Sequence, residues 1–326
     1  MPKTKKPELP VLAIDLGGTK IITAIFDNNR LIAKERCLTM AGEGQQSVIN
    51  RLLSSIDHIL SLKNMDLSQL GSISIAAAGG IDIERGLVTS SPHLPDWQDV
   101  PLRDIVKEKY QVDTFLLNDA SAAALGEHRF GAGKGVSNLI LLTVGTGIGG
   151  GIIINGRLYN GPYGSAGEIG HMTIDVNGLS CQCGNIGCLE TLASGTAMAR
   201  EARRRIAQGE SSCLLELVAD RTEDVTAENI GVAARGGDSL ALDVIAGAGT
   251  YLGVGMVNLV NIFNPEMIVV GGGVANLGDL LLDPARQVVK ERAFRISARA
   301  VRIVTAQLGD EAGVYGAAVF ALEQKN

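Results

Sequence analysis

Two stretches of this chain follow one plan, and that repetition constrains the fold more than any other feature. Residues 11–26 read as an apolar strand, then Asp15-Leu-Gly-Gly-Thr-Lys20, then a second apolar strand, Ile-Ile-Thr-Ala-Ile-Phe. The turn residues Asp27-Asn-Asn-Arg30 follow. Residues 139–158 repeat the plan: Leu-Ile-Leu-Leu, then Thr143-Val-Gly-Thr-Gly-Ile-Gly-Gly-Gly151, then Ile-Ile-Ile, then Asn155-Gly-Arg157. A hairpin with a glycine-threonine turn thus recurs about 128 residues on, counting from Asp15 to Thr143. Self-similarity at half-chain spacing predicts two related α/β domains facing each other across a cleft. The expected division is 1–119 with 312–326 as the smaller domain, and 120–311 as the larger.

Between the hairpins, helical spacing of Val48, Leu52, Leu53, Ile56, Ile59 and Leu60 predicts a helix over 47–62 that covers the first sheet. Residues 73–78 form a short buried strand that stops at Gly79-Gly80. Residues 115–117 lead into Asn118-Asp119 and a helix over 120–128. A strand over 267–270 stops at Gly271-Gly272-Gly273, and a helix over 315–323 closes the chain against the first domain. Glycine, at 41 of 326 residues, exceeds the usual share of about 7% and predicts many close backbone approaches.

Two uncharged stretches, 136–156 and 244–265, are long enough to raise a transmembrane reading. The first has a glycine cluster at its centre and suits a strand turn. The second carries Asn258 and Asn261 and suits a buried core helix. The lysine-rich start has no apolar segment behind it, so the expectation is a cytoplasmic protein with no membrane partner. A net charge of −6 lacks the basic footprint of a nucleic-acid binder.

A turn of small residues exposes backbone N–H groups that can wrap an anionic phosphate, and the threonine hydroxyl adds a donor. Gly17, Gly18, Thr19 and Lys20 form one such turn, and Gly145, Thr146 and Gly147 the other. Asp15, at the end of the first strand, is placed to accept from water bound to Mg²⁺. The plain alternative is two ordinary hairpins, and neither turn has Walker A spacing. Gly271, Gly272 and Gly273 suit close approach to a base or ribose, or a simple strand-to-helix turn.

His171, Cys181, Cys183 and Cys188 read His-x9-Cys-x-Cys-x4-Cys, with Gly184 and Gly187 letting the chain curl. Three thiolates and one imidazole make a closed tetrahedral set for structural zinc. Cys37 and Cys213 stand apart. Asp119, at a helix entry, suits the proton-accepting role that phosphoryl transfer needs. From these residues alone a helix N-cap explains Asn118-Asp119 better. Glu168 and Glu190 bracket the cysteine loop and suit either sugar hydroxyls or solvent.

These motifs resemble the ROK (repressor, open reading frame, kinase) family, from Asp15-Leu-Gly-Gly-Thr-Lys20 to Gly313. The most specific part is Glu168-Ile-Gly-His171 followed by Cys181-Gln-Cys-Gly-Asn-Ile-Gly-Cys-Leu-Glu190. The resemblance implies a duplicated actin-like (ribonuclease H-like) ATPase fold, with ATP and a hexose bound between two domains. It implies that Asn118, Glu168, His171 and Glu190 hold sugar hydroxyls beside Gly79 and Gly80, and that Asp119 is the catalytic base. It further implies a structural Zn²⁺ on His171, Cys181, Cys183 and Cys188, and a homodimer or homotetramer.

Within the family, Ser91-Pro-His-Leu-Pro-Asp-Trp97 and Val100-Pro-Leu look like the glucokinase branch. That branch usually carries asparagine at the place of His93, glycine at that of Asp96, and a proline within the stretch 77–82. N-acetylmannosamine, N-acetylglucosamine or fructose as substrate, and an unusual phosphoryl donor, stay open. A sugar-responsive repressor needs a helix-turn-helix domain, and fourteen residues before Asp15 are too few. An actin-like filament or chaperone ATPase has no use for the cysteine loop.

Overall fold

The computed structural model describes residues 9–325; the lysine-rich start lies outside them. The chain forms two compact units. One comprises residues up to Gly135, Gly151–Gly167 and Leu308 onward, and the other Val136–Gly150 and Glu168–Gln307.

The first unit is built on β1 (Val11–Leu16), β2 (Lys20–Asp27), β3 (Arg30–Leu38), β4 (Ser72–Ala77) and β8 (Thr114–Asn118), in the order β3-β2-β1-β4-β8. β1 and β2 are antiparallel, whereas β4 runs parallel to both β1 and β8. A small second sheet holds β5 (Gly80–Asp82), β6 (Leu87–Ser90) and β7 (Gln98–Val100). Helix α1 (Gln45–Leu62) buries Val48, Leu52, Ile56 and Ile59 in one cluster with Leu12, Ile14 and Ile25 of the sheet. Its 3.6-residue spacing presents one apolar stripe to that sheet. Thr23 and Ser55 share a buried hydroxyl–hydroxyl bond of 2.7 Å, so the polar groups trapped beneath the helix satisfy each other. Helix α2 (Leu102–Tyr110) precedes β8, and α3 (Asp119–Phe130) follows it.

The second sheet has the order β11-β10-β9-β12-β13, built from β9 (Leu139–Val144), β10 (Ile148–Ile154), β11 (Arg157–Leu158), β12 (Met267–Gly271) and β13 (Arg302–Thr305). Strand order therefore repeats, hairpin for hairpin, as the two glycine turns predict. β12 lies parallel to β9 and β13.

The longer helices of the second unit are α4 (Gly195–Ala207), α5 (Ala227–Arg235), α6 (Ser239–Phe263) and α7 (Asp279–Arg292). α6 is long and apolar enough to cross a membrane by length and composition, yet 61% of its apolar window is buried inside the protein. The uncharged stretch 244–265 is thus the expected core helix. Its Gly249 and Gly253 lie one turn apart, where a Cβ would come within 2.4 Å of Leu281 O and 2.7 Å of Val288 Cβ. Backbone-close packing of α6 on α7 explains why this helix carries glycine despite the propensity cost. The last helix, α8 (Ala312–Glu323), packs on α3 and β1 of the first unit.

Candidate active site

In the first unit the predicted residues collect where β1, β4 and β8 end. Parallel register aligns Leu16 with Ala77 and Ala77 with Asn118, so Asp15, Gly79, Asn118 and Asp119 emerge at one edge of the sheet. Carboxyl ends of parallel strands are where α/β sheets place ligands. Asn118 does two jobs there. Its side-chain oxygen accepts from Ser121 N at 3.0 Å, capping α3, and its Nδ2 donates to Gly79 O at 3.0 Å. The capping role that the sequence offered to either residue belongs to Asn118. Asp119 begins the helix, and its Oδ1 accepts from Ala120 N at 2.8 Å. Gly80 opens β5, where its carbonyl accepts from Thr89 Oγ1 at 3.0 Å.

The first glycine turn closes through Gly17 N donating to Lys20 O at 3.0 Å. Lys20 pairs with Asp310. Leu94 and Trp97 are buried in the core of this unit, and the segment they anchor sets His93 against Gly18. A Cβ at Gly18 would lie 2.6 Å from His93 Cβ and 2.7 Å from its carbonyl oxygen. Asp15 packs under Gly313, whose Cβ, if present, would meet the carboxylate at 2.5 Å. Burial, with Asp119 and Asp310 adding negative charge, pushes the Asp15 carboxyl up to about 7 against the opposing pull of Lys20. Such a group gains from a cation at this spot.

In the second unit the glycine turn, the two glutamates and the cysteine loop form one connected cluster. Glu190 Oε2 accepts from Ile148 N at 2.8 Å. A Cβ at Gly147 would sit 2.3 Å from that same oxygen, so glycine there makes room for the carboxylate. His171 Nε2 lies 3.9 Å from Glu168 Oε2. Burial raises the Glu168 carboxyl, His171 opposes the shift, and Glu190 adds to it. Glu168, His171 and Glu190 therefore share one polar surface.

The other imidazole nitrogen, His171 Nδ1, lies 3.6 Å from Cys181 Sγ, and Cys183 Sγ lies 3.7 Å from Cys188 Sγ. All four ligand atoms fall within 4.8 Å of one another. A tetrahedral zinc, with bonds of about 2.3 Å to sulfur and about 2.0 Å to nitrogen, has sulfur–sulfur edges of about 3.8 Å and sulfur–nitrogen edges of about 3.5 Å. The donor set and its spacing fit that ion. Gly184 and Gly187 both take positive φ, 91° and 66°, where a side chain would be strained.

A cavity of about 690 Å³ opens beside the second glycine turn, lined by Gly145, Thr146, Gly273 and the first residues of α4 and α5. Of the predicted Gly271–Gly273 set, only Gly273 lines it, while Gly272 packs its backbone against Val144. Gly195 N donates to Gly145 O at 2.8 Å, and Thr196 Oγ1 to Thr146 O at 2.8 Å. The N-terminus of α4 thus abuts the glycine turn, where its dipole favours an anion.

The sequence matches the ROK family over residues 11–324. The chain belongs to the ROK family. It is 35% identical to a glucokinase of Thermotoga maritima, over 98% of this chain and 99% of that protein. The crystal structure of a ROK family glucokinase from Streptomyces griseus, in complex with glucose and AMPPNP, superposes with a TM-score of 0.83. It is 34% identical, over 96% of this chain and 99% of that one. A xylose repressor of Caldicellulosiruptor bescii is 35% identical over 94% of this ROK chain, which spans 76% of the repressor. The fold is accordingly the actin-like ATPase fold of ROK sugar kinases.

Sequence reasoning missed most of the cavity wall: Gly195, Thr196, Arg203, Glu228, Arg235 and Asn276. The available signals were Ser194 and Thr226, both side-chain N-caps in the structure, but caps occur at helices throughout any chain.

Proposed function

We propose that this ROK chain is an ATP-dependent glucokinase, transferring the γ-phosphoryl group to the 6-hydroxyl of glucose. The observation that carries the reading is near-full reciprocal coverage, at 35% identity, with a curated glucokinase. Asn118, Glu168, His171 and Glu190, beside Gly79 and Gly80, hold the sugar hydroxyls. Asp119 accepts the proton of the attacking hydroxyl, a contribution of about 10² to 10⁴ in rate. Gly17, Gly18, Thr19 and Lys20 on one turn, and Gly145, Thr146 and Gly147 on the other, hold the phosphates, with Gly271, Gly272 and Gly273 toward the nucleoside. Mg²⁺, when bound, would neutralise phosphate charge, and the half-buried Asp15 carboxylate is the group that would orient its water. Zn²⁺, when bound, fixes the tautomer of His171 through Nδ1, leaving Nε2 to meet the sugar beside Glu168. The enzyme is cytoplasmic, works as a homodimer or homotetramer, and has no nucleic-acid partner.

The hydroxyl-matched set favours an unmodified hexose, because polar groups that a bound sugar covers reject a substrate that leaves them unpaired. The test is kcat/KM for glucose, mannose, fructose, N-acetylglucosamine and N-acetylmannosamine with Mg·ATP, with Asp119→Asn as the inactive control. Glucose should rank first, and Asp119→Asn should keep glucose affinity within several-fold while losing turnover. An acetamido sugar ranking first reassigns the substrate. No turnover with any sugar overturns the kinase reading in favour of the sugar-sensing role its repressor relatives carry by name.

A further inference from the structure

The first glycine turn is held by a residue that no motif announces. Gly17 and Gly18 have no Cβ to restrict their backbone, so the direction of their peptide groups is set by what those groups bond. Thr39, the residue after β3, bonds two carbonyls of the turn. Its Oγ1 donates to Gly17 O at 2.6 Å, and its N–H donates to Thr19 O at 2.9 Å. The second bond continues the β2–β3 ladder, in which Lys20 stands opposite Leu38. The first is a side-chain bond that the ladder does not require. In a planar trans peptide, the C=O and the N–H of the next residue point opposite ways. Holding the carbonyls of Gly17 and Thr19 toward Thr39 therefore turns the N–H groups of Gly18 and Lys20 away from it. Those amides belong to the set that a phosphate on this turn would meet.

Thr39 is itself fixed at every polar atom. It is fully buried, at 0% exposure, and its carbonyl accepts from Arg51 Nη1 at 2.9 Å. Arg51 stands on α1 and pairs with Glu43, just ahead of that helix. The apolar stripe of α1 anchors the helix in the core. A line of bonds thus runs from a packed helix, through Arg51 and Thr39, to the glycine turn. Space alone at this point would be filled by valine, which has the same shape and no hydroxyl to satisfy.

We infer that Thr39 is a positioning residue of the donor site: its hydroxyl aims the Gly17–Gly18 peptide and so prepares the turn for the phosphates of ATP. The inference rests on the kinase reading for its ligand, but phosphate binding precedes transfer and is measured without it.

Thr39→Val removes the hydroxyl and keeps the shape, whereas Thr39→Ser keeps the hydroxyl and removes a methyl. Both take something from the core, so urea unfolding should show the two variants destabilised to a similar degree. Binding should separate them. By titration calorimetry with Mg²⁺, Kd for ATP should rise about fivefold in Thr39→Val, the size of one net hydrogen bond. In Thr39→Ser it should stay within twofold of wild type. Inorganic tripolyphosphate should follow ATP, and adenosine, with no phosphate, should bind all three proteins alike. In turnover, KM for ATP should rise in Thr39→Val while KM for glucose stays within twofold. Arg51→Gln acts on the same turn from the other end of the line and should weaken ATP about twofold to threefold. Unchanged ATP affinity in Thr39→Val, or in Arg51→Gln where the valine variant does not fold, would overturn the inference. Equal losses in the valine and serine variants would also overturn it, leaving Thr39 a packing residue, as would a loss for adenosine as large as that for ATP. Wild type that binds ATP with this valine–serine contrast yet phosphorylates no sugar would sink the kinase reading and leave the inference standing. Sugar phosphorylation without the contrast would do the reverse.

Discussion

Replacing Asp15 by asparagine should make the ligand-free protein more stable above neutral pH, while removing a group that the proposed chemistry needs. The carboxyl is moved from its ordinary 3.8 to about 7, first by burial and then by Asp119 and Asp310. At about 1.4 kcal/mol per tenfold change in proton affinity, that displacement corresponds to about 4 kcal/mol. The sign follows from linkage. A raised folded-state pKa means that the native protein binds the proton more tightly than the unfolded chain does. The stability associated with Asp15 is therefore fully present below about pH 4 and lost as pH climbs through 7. An asparagine amide at this position stays neutral throughout and escapes that loss. Because Asp15 keeps some exposure, water reaching the carboxylate trims the effect, and about 2 kcal/mol is the expected gain at pH 8. The assay is urea unfolding of wild type and Asp15→Asn at pH 4.5 and pH 8, with chelator and without nucleotide. The variant's advantage should be small at the lower pH and near its full value at the higher. An advantage that is absent at pH 8, or independent of pH, would refute the argument that this carboxylate is held against its own desolvation.

If the cysteine loop holds zinc as proposed, the purified protein should carry one ion per chain, and Cys183→Ser should lose it and weaken glucose binding, because a metal there would fix His171; metal analysis beside a glucose titration checks it, and full activity in zinc-free protein would end the idea. Gly147→Ala should raise the glucose KM about tenfold with little loss of stability, because the new methyl would displace Glu190 Oε2, 2.3 Å away, rather than backbone; a KM unchanged from wild type would detach Glu190 from the sugar.

Most of the scaffold was legible because burial leaves a mark on composition. The two hairpins are uncharged where their strands are covered. Val48, Leu52, Ile56 and Ile59 keep helical spacing because one stripe of α1 meets the sheet, and the cysteine loop has ligand spacing that few other constraints produce. The site was legible only where chemistry is unusual. Asn118 and Asp119 are equally good caps as letters, and only the bond from Ser121 N to Asn118 shows which one caps. The Gly147–Glu190 contact joins residues 43 apart by number, and nothing local in either segment announces the other. Gly195, Thr196 and Arg235 sit at ordinary-looking helix ends, and their meaning comes from the cavity that they share.

Glu190 shows why the cysteine loop and the second glycine turn belong to one device. It lies two residues after Cys188, so any displacement of that ligand moves its backbone. Its carboxylate is fixed at the other end by Ile148 N, at 2.8 Å, beside the glycine turn. A glutamate on a free loop would sample several rotamers and lose entropy on meeting a hydroxyl, at a cost of about 1 to 2 kcal/mol. Here one oxygen is already engaged by the backbone, which orients the other oxygen before any substrate arrives. Glutamine would fit the same volume, but half of its polar end is a donor that cannot accept from Ile148 N. With its oxygen turned to Ile148, it would offer a sugar only an amide N–H; turned the other way, it would set two donors against each other at the backbone. The same economy holds in the first unit, where Asn118 spends its oxygen on the α3 cap and its amide on Gly79. Each unit thus ties its loops together through one polar side chain, with both ends of Asn118 engaged and Oε2 of Glu190 held by Ile148 N, and the residue types allowed at 118 and 190 follow from those bonds.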